Sequence, residues 1–147
     1  MQLSAVKRIR YNATVLRITK CHHVAIICRS RPAALRFYQE ILGFSIIKEE
    51  FRSARDSWKI DLLVPGTNGM QVELFTFPDP PARRTQPEAC GLRHLAFAVA
   101  DIDGAIIELA AAGVAAEPVR VDFSTNRRFT FVQDPDGLPI ELYEEPL

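Results

Sequence analysis

Runs of Val, Ile, Leu and Phe, cut by Gly and Pro, divide the chain into short elements whose periodicity changes from two to helical and back. His22-His23-Val24-Ala25-Ile26-Ile27-Cys28 is rich in β-branched and apolar residues and reads as a strand covered on both faces. Ser30 then offers an N-cap, and Pro32 stands in the first turn, where a missing N–H is harmless. From Ala33 to Leu42 the spacing of Leu35, Tyr38 and Leu42 predicts a helix, which Gly43 stops. Phe44 to Ile47, Trp58 to Val64 and Met70 to Phe77 read as strands, with Pro65-Gly66 and Asn68-Gly69 as the turn between the last two.

The second half repeats the order. Arg93 to Val99 is a strand, Asp101 or Asp103 caps a helix running to Ala112, and Gly113 ends it. Val114 to Val119, Arg128 to Val132 and Leu138 to Tyr143 follow as strands, the last two separated by the turn Asp134-Pro135-Asp136-Gly137. Four prolines between Pro78 and Pro87 exclude helix and central strand, making a linker. HVAI at 23–26 recurs as HLAF at 94–97, and VELF at 72–75 as IELY at 140–143. Such an internal duplication predicts an α+β fold in which two βαβββ modules form an incomplete mixed β-barrel. Module 1 covers about 21–77, the linker 78–91 and module 2 about 92–145. Together they make a single domain of 21–147 behind an N-terminal extension, 1–20.

Composition narrows the function classes. Eighteen basic residues balance eighteen acidic ones, so no excess positive field points to nucleic acid. No apolar run approaches the roughly 20 residues that span a bilayer, so no membrane is expected. Cys21, Cys28 and Cys90 are odd in number and lack CxxC spacing, which argues against a disulfide framework and fits a reducing cytoplasm. No acid precedes Glu40, whereas eight Lys and Arg do. That basic start reads either as an extra arm before the domain or as an organelle transit peptide.

Four polar residues stand out against this apolar background. His23 and His94 open the first strands of the two modules, and Glu73 and Glu141 lie in the last strands. A buried carboxylate without a partner is costly, so each must reach water, pair, or bind a metal. The repetition at equivalent places of a duplicated unit favours one divalent metal held by His23, Glu73, His94 and Glu141. Two imidazoles and two carboxylates suit Zn²⁺ or Ni²⁺, with Co²⁺, Mn²⁺ or Fe²⁺ as alternatives, rather than an all-oxygen calcium site. Neighbouring strand residues face opposite ways, so only one of His22 and His23 can be a ligand. Aligning Ala25 with Ala96 pairs His23 with His94 and selects it.

RFYQEILGF at 36–44, HLAFAV at 94–99 and FVQDPDGLPIELYE at 131–144 resemble recurring phrases of the vicinal oxygen chelate superfamily, which includes glyoxalase I and the bleomycin-resistance fold. DSWKIDL at 56–62 and ELFTFPDPP at 73–81 resemble, more narrowly, a bacterial glyoxalase-like subgroup. The resemblance spans 21–145. It implies paired βαβββ modules, a homodimer in which modules pair within or between chains, a divalent metal, and a small-molecule substrate with two adjacent oxygens. The full His/Glu/His/Glu set is similar to that of glyoxalase I, the lactoylglutathione lyase. This implies a lyase or isomerase acting on an α-oxo-aldehyde thiol adduct or related carbonyl compound. By resemblance, the position of Glu141 implies the proton-transferring base, with Glu73 the second candidate.

The likeness to glyoxalase I stops at its glutathione contacts. Ile27 and Phe77 stand where bacterial glyoxalase I has an Arg and an Asn, and neither can donate a hydrogen bond. Strand alternation puts Ile27, Phe75 and Phe77 on the faces of His23 and Glu73, together with Ala25, Ala96, Ala98 and Tyr143, giving a largely apolar wall. The segment 52–59 is the candidate substrate-facing stretch, with Arg52 and Trp58 as candidate contacts. Two other classes compete: a metal-dependent dioxygenase of the same superfamily, and a small-ligand-sequestering binding protein.

Overall fold

In the computed structural model residues 16–145 are described; the expectations for 1–15, most of the N-terminal extension, fall outside the described residues. Module 1 consists of β1 (His23–Cys28), α1 (Arg31–Leu35) continuing into a π-helical turn (Arg36–Ile41), β2 (Ser45–Arg52), a 3₁₀ turn (Ser53–Arg55), β3 (Ser57–Leu63) and β4 (Gln71–Thr76). Module 2 consists of β5 (Leu95–Val99), α2 (Ile102–Ala111), β6 (Arg120–Asp122), β7 (Arg127–Gln133) and β8 (Pro139–Glu144). Each forms its own four-stranded mixed sheet, in the order β1-β4-β3-β2 and β5-β8-β7-β6. The first strand pairs parallel with the last, and the other pairings are antiparallel. The βαβββ duplication is therefore present in topology and in register. The sheets stay separate, and no closed barrel forms.

Local chemistry explains the details. Ser30 caps α1 by accepting from the Ala33 N–H at 3.3 Å, and Asp101 caps α2 by accepting from Asp103 at 3.0 Å. The expected regular helix Ala33–Leu42 instead starts at Arg31 and widens after Leu35, where the Leu42 N–H reaches back to the Phe37 carbonyl at 2.9 Å. The widened turn lets the adjacent Phe37 and Tyr38 both be buried. β2 runs five residues past the expected Ile47, because Lys48, Glu50 and Arg52 are tolerated on an edge strand. The expected strand Val114–Val119 is not formed. Pro118 has no N–H to extend a ladder, one backbone bond (Glu117 N–H to Phe131 C=O, 2.9 Å) ties the stretch to β7, and pairing resumes at β6.

One face of each sheet is buried in a common core that draws on both modules, including Ile26, Ile60 and Leu74 from the first and Leu95, Val132 and Ile140 from the second. Phe44 meets Phe97 edge-on at 5.4 Å across the junction. Beside it, the fully buried Tyr38 donates its hydroxyl to Asp134 Oδ2 at 2.8 Å. Asp134 Oδ1 accepts from the N–H groups of Asp136 and Leu138, so the expected 134–137 turn is fastened by the same carboxylate that receives the other module's tyrosine. Burial, reinforced by Asp134, pushes the Tyr38 hydroxyl well above its ordinary range. Cys28 is likewise pushed up to about 12, first by burial and then by Asp136 and Asp134, and behaves as a small core hydrophobe. Tyr38→Phe keeps the ring and removes a hydrogen bond to a carboxylate, so it should cost roughly 1.5–3 kcal/mol. Urea unfolding of both proteins measures that difference.

Candidate metal centre

The sheet face away from the core carries the four residues of interest. In module 1 the parallel register sets Ala25 opposite Glu73, and alternation puts His23, Ala25, Ile27, Glu73 and Phe75 on one side. The same register in module 2 sets Ala96 opposite Glu141 and groups His94, Ala98 and Tyr143 with them. Small alanines across from both carboxylates leave space over the sheet.

Each histidine meets the glutamate of its own module. His23 Nε2 lies 3.7 Å from Glu73 Oε2, and His94 Nε2 lies 3.0 Å from Glu141 Oε2. The residue before each histidine contacts the ring's other nitrogen: His22 Nδ1 is 2.8 Å from His23 Nδ1, and Arg93 Nη1 is 3.2 Å from His94 Nδ1. Arg can only donate, so His94 Nδ1 accepts and the Nε2–H faces Glu141. These are two His–Glu pairs with the same construction. The expected convergence of all four in one place does not occur within a single chain: among the described residues no three His, Cys, Asp or Glu side chains come together as a metal set. The physical reason is that the modules pack through their core faces and leave the His/Glu faces apart.

The flanking walls differ. In module 1, antiparallel pairing places Asp61 opposite Glu73 and Lys59 opposite Phe75. Lys59 Nζ bridges the two acids, donating to Glu73 Oε1 at 3.0 Å and to Asp61. Neither Lys59 nor Asp61 was singled out by the sequence pattern. Their alternation with Trp58, Ile60 and Leu62 marks a polar face, but only the register shows that it is the face of Glu73. Arg52 lies on this side, with its guanidinium carbon 5.7 Å from the Phe75 ring centre, while Arg55 lies 5.3 Å from that of Phe77. Trp58 faces the other way, beneath Arg31 at 4.8 Å and beside Phe51. In module 2 the wall is aromatic. Phe131 meets the His94 ring edge-on at 5.2 Å, Phe129 stacks on Tyr143, and Arg120 covers both phenylalanines. Arg128, by contrast, pairs with Glu144 and Asp103 on the core side.

These features match a family. The chain fits the model of the Glyoxalase/Bleomycin resistance protein/Dioxygenase superfamily over residues 20–142. It belongs to that superfamily. Among its relatives, the uncharacterized protein YaeR of Escherichia coli K12 is 52% identical over 131 residues, covering 89% of this chain and all of YaeR. YwkD of Bacillus subtilis 168, also uncharacterized, is 52% identical over 124 residues, covering 84% of this chain and 95% of YwkD. The crystal structure of a glyoxalase family protein from Enterococcus faecalis superposes with a TM-score of 0.78 at 43% identity, covering 85% of this chain and 97% of that one.

Within this glyoxalase-family frame Lys59 is the cation that keeps two facing carboxylates compatible. Partial desolvation lowers its proton affinity, but its bonds to Asp61 and Glu73 outweigh that and raise it above the ordinary value of 10.5. A raised lysine stabilises the fold fully below its unfolded value and loses that contribution as the pH climbs through the folded one. Lys59→Met should therefore lower stability by about 1–2 kcal/mol near neutral pH. Thermal unfolding of both proteins across the alkaline range should show the gap closing above the ordinary lysine value.

Proposed function

We propose that this protein is a metal-dependent lyase or isomerase acting on a small α-oxo-aldehyde thiol adduct or related carbonyl compound, with a site made from module 1 of one copy and module 2 of a second. The observation that carries this reading is the pair of matched His–Glu half-sites, each on an outward-facing sheet surface of its own module. Ile27 is 57% exposed, and Ala25, Ala96 and Ala98 are also open to water. Apolar surface of that kind around polar chemistry marks an interaction site, and a second copy of the chain would cover it while completing the ligand set.

The residues fit a divalent metal. Each half brings one imidazole and one carboxylate oxygen not held by a lysine. To ligate through Nε2, His94 would move its proton to Nδ1 and give up its contact with Arg93, and the two halves would then make the N₂O₂ set suited to Zn²⁺ or Ni²⁺, and to Co²⁺, Mn²⁺ or Fe²⁺. When bound, such an ion supplies Lewis acidity toward two adjacent substrate oxygens. His23, His94 and Glu73 then act as holders, and the hydrogen bond from Lys59 fixes the orientation of Glu73. Glu141 has no Lys or Arg partner among the described residues, only His94. It is therefore the carboxylate free to accept a proton from one substrate carbon and return it to the neighbouring one. The Phe129 and Phe131 rings beside it limit water around that transfer.

Metal content tests the site, and subunit mixing tests its architecture. A His23→Ala/Glu73→Ala chain and a His94→Ala/Glu141→Ala chain should each bind no metal when purified alone. Co-purified mixed dimers should hold one ion, because the intact module 1 of one chain meets the intact module 2 of the other. Elemental analysis finding no metal in the mixed dimers of proteins whose wild type binds it would place both modules of a site in one chain. Wild-type protein that binds no metal, or that consumes oxygen with Fe²⁺ instead of isomerising a dicarbonyl adduct, would move the assignment to the binding protein or the dioxygenase.

A further inference from the structure

The outer end of the module 1 face carries cations that the proposed chemistry does not use. Phe75 and Phe77 stack nearly parallel, their ring centres 6.2 Å apart and their planes within 4°. The Arg52 guanidinium lies over the first and that of Arg55 over the second, with the 3₁₀ turn Ser53–Arg55 carrying the chain from one to the other. Asp56, the residue after that turn, has φ 44°, a left-handed conformation that reverses the chain tightly and starts β3. Neither arginine has a carboxylate partner among the described residues, whereas Lys59, nearer Glu73, is satisfied by two. Arginine stacked on an aromatic face has little hydration on that side and keeps its edge N–H groups for a ligand.

We propose that Arg52 and Arg55 form an anion-binding shelf, and that the substrate carries a carboxylate or phosphate which this shelf receives. Phe75 is two residues and Phe77 four residues beyond Glu73 on the same side of the strand, so the shelf lies roughly 7–13 Å from the metal-facing carboxylate. A three-carbon dicarbonyl cannot reach both. The substrate is thus elongated, with adjacent oxygens at one end and an oxyanion at the other, its middle lying on Phe75. Guanidinium edges give paired hydrogen bonds to either kind of oxyanion. Phe77 alone makes this end of the wall look apolar, and the arginines of the neighbouring hairpin convert it to a cationic one.

That the anion belongs to the substrate rests on the function proposed above; the shelf itself does not, and its test needs neither metal nor turnover. The side-chain Nε–H signals of Arg52 and Arg55 are followed by ¹H–¹⁵N NMR while inorganic phosphate, and separately succinate, is added to the metal-free protein. Both signals should shift and saturate together, and whichever probe binds more tightly identifies the oxyanion. Arg52→Gln or Arg55→Gln should weaken that binding about tenfold or more, whereas Arg17→Gln, which removes the same charge elsewhere, should leave it unchanged. Shifts confined to Arg84, Arg93 and Arg120 around the 220 Å³ cavity beside His94, or equal weakening in all three variants, would overturn the shelf. Saturable binding at Arg52 and Arg55 in a protein that takes up no metal would keep the shelf and remove the enzyme reading instead.

Discussion

Parallel pairing between the first and last strand of each module is the constraint from which the remaining geometry follows. It sets Ala25 across from Glu73 and Ala96 across from Glu141, and so brings each histidine to the glutamate of its own sheet. Because side chains alternate with period two, a slip of one residue in β4 would turn Glu73 into the core and Leu74 out to water. Burial of Val72 and Leu74, both fully enclosed, holds that register against slippage. The polar chemistry on one face is thus positioned by the apolar packing on the other.

The two modules share that frame but have divergent walls. Module 1 surrounds its His–Glu pair with Lys59, Asp61 and Arg52; module 2 surrounds the equivalent pair with Phe129, Phe131 and Tyr143. If the two faces oppose each other across two chains, as proposed, Lys59 and Arg52 line one side of the enclosed space, and aromatic rings, two of them covered by Arg120, line the other. The Tyr38–Asp134 bond and the Phe44–Phe97 contact hold the modules of one chain together through their opposite faces, which leaves both His–Glu faces uncovered.

Much of the fold was legible because periodicity and turn chemistry are local. The strand containing His23, the cap at Ser30, the 134–137 turn and the linker prolines depend on residues within a few positions of one another. The departures have local physical causes of a subtler kind: Pro118 interrupting a run that otherwise alternates like a strand, and the widened turn that buries both Phe37 and Tyr38. At the candidate site, the duplication pointed to the two His–Glu pairs, and alignment of the repeats on Ala25 and Ala96, added to alternation, favoured His23 over His22.

What the sequence by itself determined is the repeated module, the alternation that puts each His and Glu on a common face, and hence the residue types available for chemistry. Only the tertiary structure decided which other residues share that face, because strand neighbours such as Lys59 and Phe75 are sixteen positions apart and meet through antiparallel register. It also decided that the two pairs stay apart in one chain. That outcome depends on which sheet faces the core buries, and burial is a competition among all apolar surfaces at once, which no single segment of sequence encodes.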